Sequence, residues 1–264
     1  MEIKQKICCT CGTQYSTNFT SDTCYICSEE RQYIPEMGQL WTDHSSLMMN
    51  YKNKFVKHHN HLFEIVIEPT FAIGQRAFLV ISEGGNILLD CVPLLDQETI
   101  DFIHSKGGLK AICFSHPHYY SNMNDWAETF DCPIYIHKKD EQFIVDKGIK
   151  VFLWEGEVVK ILDDIVMYNI GGHFAGSSVL IVPKLSKGGT MLCGDTMYLS
   201  PNKKHFAIMY SYPNRIPLPK SEIKRIKDRL NIICFDTVFG FYSYQNLTCN
   251  AKEILQSSFK RYEV

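Results

Sequence analysis

No apolar run in this chain reaches the roughly 18 residues that a bilayer-spanning helix needs, so no membrane partner is expected. The first residues carry no apolar stretch ahead of a small-residue cleavage site, which argues against export. Charge of one sign is also scarce. The 27 Lys and Arg stand against 29 Asp and Glu, a net charge of −2, which gives no electrostatic reason to bind nucleic acid or an anionic surface. There is no Gly-rich phosphate loop, no Gly-x-Ser-x-Gly elbow and no carboxylate pair at glycosidase spacing. Enzymes built on those devices are set aside. Internal repeats and low-complexity tracts are missing, which excludes solenoids and disordered linkers.

What remains is a globular chain of 264 residues, 45% hydrophobic and 21% charged, able to bury about three quarters of its unfolded surface. Its 11 cysteines are an odd count without a secretory signal. That pattern fits reduced thiols in a cytoplasmic protein, four of them metal ligands.

Residues 1–40 are rich in Cys, Ser and Thr and too poor in aliphatic residues to form a core of their own. Residues 41–264 read as one larger domain, entered through a helical or irregular connector over 41–61. Strands are expected at Leu62–Glu68 and Ala77–Ser82, with Gly84-Gly85 turning the chain into Asn86–Val92. Asp96 caps a helix that ends near Gly107-Gly108. Leu109–Phe114 is a short apolar run suited to a buried strand. Helices follow at Asn124–Phe130 and Lys138–Asp146, around a strand at Pro133–Ile136. Further strands are read at Lys150–Trp154, Val158–Leu162, Ile165–Ile170, Val179–Pro183 and Thr190–Cys193, with Gly188-Gly189 as a hairpin turn. Helices at Pro219–Leu230 and Thr248–Tyr262 flank a strand at Ile232–Val238. Many strands with helices outside them describe an α/β sandwich.

Two clusters carry chemistry. Cys8-x-x-Cys11 and Cys24-x-x-Cys27 can surround one zinc ion tetrahedrally and leave no open position, the mark of a structural site. Four unrelated buried thiols are the plain alternative. Gly12 follows Cys11 where a tight knuckle favours positive φ, and Cys9 is the odd member, not a ligand. Three basic residues in 1–40 (Lys4, Lys6, Arg31) face five acidic ones (Glu2, Asp22, Glu29, Glu30, Glu36), a poor phosphate-reading surface. The second cluster starts from His116-Pro117-His118 at the end of an apolar strand. Gly171-Gly172-His173 follows another strand, and Gly194-Asp195-Thr196 a third; Asp90 closes a fourth and reads as structural.

In this order and at these intervals the elements resemble the metallo-β-lactamase superfamily, over roughly residues 62–250. The resemblance implies a four-layer αββα fold, an α/β sandwich carrying a small N-terminal zinc-ribbon segment. It implies a metal site between two sheets, held by His116, His118 and His173, with Asp195 in the place of the family's bridging carboxylate. The string His116-Pro117-His118-Tyr119-Tyr120-Ser121-Asn122, with Ser211-Tyr212-Pro213-Asn214 and the cysteine quartet, further resembles a group of lactamase-fold proteins described only as hydrolases. The departures matter as much. The family's further Asp and His fall at Tyr120 and Ser121, and its last His falls near Phe239-Gly240-Phe241. Those groups serve mainly a second metal, so one ion is expected.

Three neutral imidazoles suit zinc, with an open fourth position for water or Asp195. Two roles are open to Asp195, metal ligation or capping a strand end through backbone N–H groups. Tyr119 and Tyr120 either pack or donate a hydrogen bond to an oxygen on the metal. His58, His59 and His61 read as solvated and His137 as exposed. Three functions compete. One is a zinc hydrolase of an ester, thioester, lactone or amide, using Asp195 and Tyr120 on a small-molecule substrate. Another is a mononuclear Fe2+ oxygenase like the persulfide dioxygenases. The third is a non-catalytic binding protein stabilised by its metals.

Overall fold

The computed structural model describes residues 5–263. Two mixed sheets form its centre. The first runs, in spatial order, through strands Val151–Trp154, Ile134–His137, Ala111–Cys113, Ile87–Leu89, Arg76–Val80, Leu62–Glu68 and Lys52–His59. The second runs through Val158–Leu162, Ile165–Asn169, Ser178–Val182, Thr190–Gly194, Thr237–Gly240 and Asn246–Leu247. Each sheet joins an antiparallel meander to parallel pairs: Ile87–Leu89, Ala111–Cys113 and Ile134–His137 in the first, Thr190–Gly194 with Thr237–Gly240 in the second.

Side-chain alternation explains the layering. Successive strand residues point to opposite faces. Phe78, Val80, Ile87, Leu89, Ala111 and Cys113 face Met167, Leu180, Val182, Leu192 and Phe239 of the other sheet. Their neighbours Leu79, Leu88, Ile112 and Ile134 face outward, onto Ile103 and Trp126 of helices Gln97–Ser105 and Met123–Phe130. On the far side Val179, Ile181, Met191 and Val238 meet Ile226, Leu230 and Leu255 of helices Lys220–Asn231 and Ala251–Arg261. Both faces of the central strands are therefore buried, which is why they read as unbroken apolar runs rather than alternating ones. The order is helix, sheet, sheet, helix, an αββα sandwich. Arg76 ties the two sheets together. It is buried, and it donates to Glu64 (2.7 Å) on its own sheet and to the Gly240 carbonyl (2.6 and 2.9 Å) on the other.

Several sequence expectations shift. The stretch 41–61 is not a simple connector. Asp43 caps a helix at His44–Asn50 by accepting from the Ser46 amide, and Lys52–His59 forms the edge strand of the first sheet. An edge strand is half solvated, so its charged residues hid it. Lys138–Phe143 is a 3-10 turn, shorter than the expected helix, and the strand expected at Ile232–Val238 starts only at Thr237. His58 bonds Glu64 (2.6 Å) instead of water, and His137 is buried against Trp154.

The N-terminal segment forms a three-stranded sheet of Lys6–Cys8, Gln14–Tyr15 and Trp41–Thr42. Its buried residues Ile7, Tyr15 and Ile26 share one apolar cluster with the outer face of the first sheet. Gly12 stands at φ +80°, and a Cβ there would lie 2.3 Å from Pro93 Cγ, so the knuckle seats directly on the larger domain.

Candidate metal centres

Cys8, Cys11, Cys24 and Cys27 are buried and unbridged, and their sulfurs converge. The Sγ atoms of Cys8 and Cys27 are 3.7 Å apart, and those of Cys11 and Cys24 are 3.6 Å apart. A tetrahedron with metal–sulfur bonds of about 2.3 Å has edges of about 3.8 Å, so the cluster fits a zinc-sized ion. Polar hydrogens turn toward the sulfurs: Gln39 Nε2 lies 3.1 Å from Cys8, and the Tyr15 hydroxyl 3.2 Å from Cys24. Cys9 stands outside the cluster, half-buried.

The second cluster lies where strands end. His116 and His118 follow Ala111–Cys113, His173 follows Ile165–Asn169, and Asp195 follows Thr190–Gly194. These are the carboxyl ends of strands in both sheets, where α/β folds leave a crevice for ligands. The three histidines are buried and Asp195 nearly so, and one donor atom from each lies within 4.8 Å of the rest. His173 Nε2 is 3.4 Å from His118 Nδ1. Asp195 Oδ2 is 3.5 Å from His116 Nε2 and 3.9 Å from His173 Nε2. An ion bonded at about 2.0–2.1 Å needs ligand spacings of about 3.3–3.4 Å or slightly more.

Two further facts fit a metal. His116 Nε2, which faces Asp195 Oδ2, is buried without a hydrogen-bond partner, a costly arrangement unless something else binds there. The Nδ1 atoms of two of the rings are held from outside. His173 Nδ1 bonds the Tyr210 carbonyl (2.7 Å), and His116 Nδ1 bonds Ser115 Oγ (2.9 Å). Each bond leaves the Nε2 lone pair of its ring free for the cluster. Burial pushes His116 and His173 down to about 3, and His118 well below its ordinary value, so all three stay neutral near pH 7. Burial pushes the Asp195 carboxyl up to about 6, with His173 opposing.

Asp90 extends this chain of support. Its carboxyl group, pushed up to about 8 by burial, accepts from the Ser115 amide (2.7 Å) and the Ser115 hydroxyl (2.8 Å), and that hydroxyl bonds His116. Such outer partners fix the tautomer and orientation of a ligating imidazole. Gly194 stands at φ +49°, and a Cβ there would lie 2.4 Å from Ser115 Oγ. The glycine before Asp195 thus lets Ser115 and His116 approach.

The neighbouring positions depart from a two-ion arrangement. Tyr120 packs its ring on Phe114 (5.2 Å) and lines a separate crevice with Ser121 and Asp125. It is Tyr119 whose ring stands against His116, at 4.7 Å. Ser121 carries the ribbon instead of a metal: its carbonyl accepts from the Gln14 amide (3.2 Å), and its hydroxyl from Gln75 (3.2 Å). Phe241 is buried against Tyr119 and Tyr242.

His118 and Asp195 form the floor of a cavity of about 580 Å³. Ribbon residues from Cys9 to Leu40 make one wall, and Tyr198, Tyr212, Phe241 and Tyr242 make the other.

Comparison with known proteins agrees with this geometry. No protein-family model matches the chain. It is 40% identical over 260 residues to uncharacterized protein YmaE of Bacillus subtilis (strain 168), spanning 97% of this chain and 94% of that one. Solved structures of the metallo-β-lactamases share the fold. DIM-1 aligns with a TM-score of 0.58 at 14% identity over 80% of this chain and 97% of its own. VMB-1 gives 0.57 at 14% over 81% and 99%. FIM-1 from Pseudomonas aeruginosa, in its mono-zinc form, gives 0.56 at 12% over 80% and 95%. The fold is therefore that of the metallo-β-lactamases, with a four-cysteine cluster at its N-terminal end. Within that fold, the chain belongs to the family of the B. subtilis protein.

Proposed function

We propose that this protein is a mononuclear zinc hydrolase that cleaves an ester, thioester, lactone or amide. The observation that carries the reading is the convergence of three neutral imidazoles and one carboxylate, one imidazole nitrogen orphaned, at a point where His118 and Asp195 line an accessible cavity. All three histidines take part in the convergence, which favours a zinc set over the two-histidine, one-carboxylate triad of iron oxygenases. FIM-1, of the same fold, has a crystal structure in a mono-zinc form, which is in keeping with a single ion here.

His116, His118 and His173 would hold the ion, and Asp195 would be its fourth ligand or its neighbour. The ion supplies Lewis acidity and makes water acidic enough to serve as a nucleophile near neutral pH. Asp195, whose carboxyl burial raises to about 6, would accept a proton from a nucleophilic water beside it and hand it to the departing group. Tyr119 packs against the His116 ring and keeps bulk water from its inner side. The four-cysteine cluster has no open position and serves structure.

The test is metal analysis of protein purified without added metal, followed by a panel of thioesters, lactones, esters and amides. Two zinc per chain and turnover abolished by Asp195→Asn are expected. One zinc with one iron, or equal rates in the two proteins, would overturn the reading.

A further inference from the structure

We propose that the four-cysteine ribbon is part of the hydrolytic site. Its Arg31 is a positioning residue for the metal ligand His173. Its Tyr33, Met37 and Leu40 form the wall that selects substrates with a large apolar acyl group.

Arg31 lies between the two regions. Its Nε donates to the His173 carbonyl, and its Nη1 pairs with Glu29 of the ribbon. The guanidinium is sandwiched between the rings of Phe174 (4.4 Å) and Tyr210 (4.0 Å), and its side chain is only 14% exposed. Tyr210 is the residue whose carbonyl holds His173 Nδ1 at 2.7 Å. Arg31 therefore touches the ligand's own backbone, the residue after it, and the residue that orients its ring. Planar stacking combined with directional donation is a guanidinium's particular capacity, which a lysine lacks.

The ribbon backbone is held at the same place. Ser211 Oγ donates to the Arg31 carbonyl (2.9 Å), and Asn214 Nδ2 donates to the carbonyls of Glu30 and Gln32 (2.9 Å each). Three consecutive ribbon carbonyls are thus bound to the turn after Tyr210. Ribbon, turn and His173 loop form one hydrogen-bonded unit.

The wall follows from the same docking. Just past Arg31, the ribbon runs along the mouth of the 580 Å³ cavity opposite Tyr198, Phe241 and Tyr242. Met37 is 92% exposed, Leu40 60% and Tyr33 52%, so these large apolar groups bury little in the free protein. The only ionisable side chains among the residues from 70 onward that line this cavity are His118, Asp195, Arg215 and tyrosines. Large apolar side chains left at the rim of a cavity that ends on reactive polar groups are arranged to be covered by a ligand. The ligand that fits is an apolar acyl chain or aryl group lying between the two walls, with its carbonyl at the floor.

This inference rests on the hydrolase reading for the word substrate, but its test does not need turnover. Cobalt(II) loaded into both sites gives thiolate charge-transfer bands from the cysteine site and d–d bands from the histidine site. In Arg31→Gln the thiolate bands should persist, showing a folded ribbon. The histidine-site bands should shift, and zinc affinity there should fall about tenfold; Arg31→Lys should restore little. Unchanged histidine-site bands and affinity in Arg31→Gln would overturn the positioning role. For the wall, zinc-loaded protein is titrated calorimetrically with 4-phenylbutanohydroxamate and acetohydroxamate. The aryl compound should bind at least about tenfold tighter, and Met37→Ser/Leu40→Ser should erase most of that preference. A preference retained in the double variant, or absent from the wild type, would overturn the wall. A wild type that shows the preference but hydrolyses no acyl substrate would count against the hydrolase reading alone.

Discussion

The cysteine cluster draws all its donors from one short stretch, Cys8 to Cys27, and its polar neighbours Tyr15 and Gln39 come from the same segment. The histidine cluster gathers donors from three strand ends between His116 and Asp195, and its supports come from further away still. Asp90 acts through Ser115, Tyr210 lends its carbonyl, and Arg31 reaches across from the ribbon. The first cluster is closed and takes all its donors locally, and the second opens on a cavity and draws its donors from distant parts of the chain. A site that must stay open to ligand cannot surround its ion with its own residues, so its geometry is held from outside.

The difference predicts unequal damage. The largest effect should come from Cys24→Ser. Structural zinc couples on the order of 10 kcal/mol of binding to folding of the segment that holds it. The variant should lose one metal equivalent and release the ribbon. Because residues 30–32 are bonded to the Tyr210 turn, zinc affinity at the histidine site should fall as well. Metal analysis showing a single lost equivalent, with the histidine site at full affinity, would break the claim that the second site depends on the first. The reverse substitution, His116→Ala, should empty only the histidine site. The cobalt–thiolate bands should be unchanged, since all four sulfur donors lie within Cys8–Cys27.

A smaller effect is expected one bond further out. Asp90→Asn leaves every proposed ligand in place but weakens the acceptor that holds Ser115 against His116. Zinc affinity should fall about 10- to 100-fold, the usual cost of losing such a partner. Equal affinity by competition with a chelator would make Asp90 a strand-end residue and nothing more.

The smallest effect is one of pH. Burial raises the Asp195 carboxyl to about 6, and only its ionised form binds a cation. Zinc affinity at the histidine site should therefore be level above about pH 6 and weaken progressively as pH falls below it. Asp195→Asn should flatten that step. Dialysis against a fixed zinc buffer from about pH 5 to 7.5 measures it, and a step that survives in the variant would assign it to the imidazoles instead.

The same contrast explains what could be read from residues alone. The cysteine quartet was legible because its donors are local and their spacing is itself the geometry. His116, His118, His173 and Asp195 were legible because each follows an apolar strand run, and the sandwich brings strand ends together. The burial of both strand faces also made the core strands easy to recognise. The edge strand Lys52–His59 was hidden by its half-solvated polar residues. Asp90 reads as merely structural from sequence, since nothing in the order of residues shows that its carboxyl group meets Ser115. Arg31 counted only as one charge among eight in the first 40 residues. Its stacking between Phe174 and Tyr210 exists only after the ribbon docks. Of the two tyrosines the sequence points to Tyr120 as the site residue, and the structure turns that round. The 3-10 turn Pro117–Tyr119 decides it, bringing Tyr119 to His116 and turning Tyr120 to Phe114.

The most direct test of one closed and one open metal site is anomalous diffraction at the zinc edge, on crystals of protein purified without added metal. The account predicts two separate single peaks, one among Cys8, Cys11, Cys24 and Cys27 and one among His116, His118, His173 and Asp195. A pair of peaks about 3.5–4 Å apart at the histidines, as in two-metal sites, or no peak there at all, would contradict it.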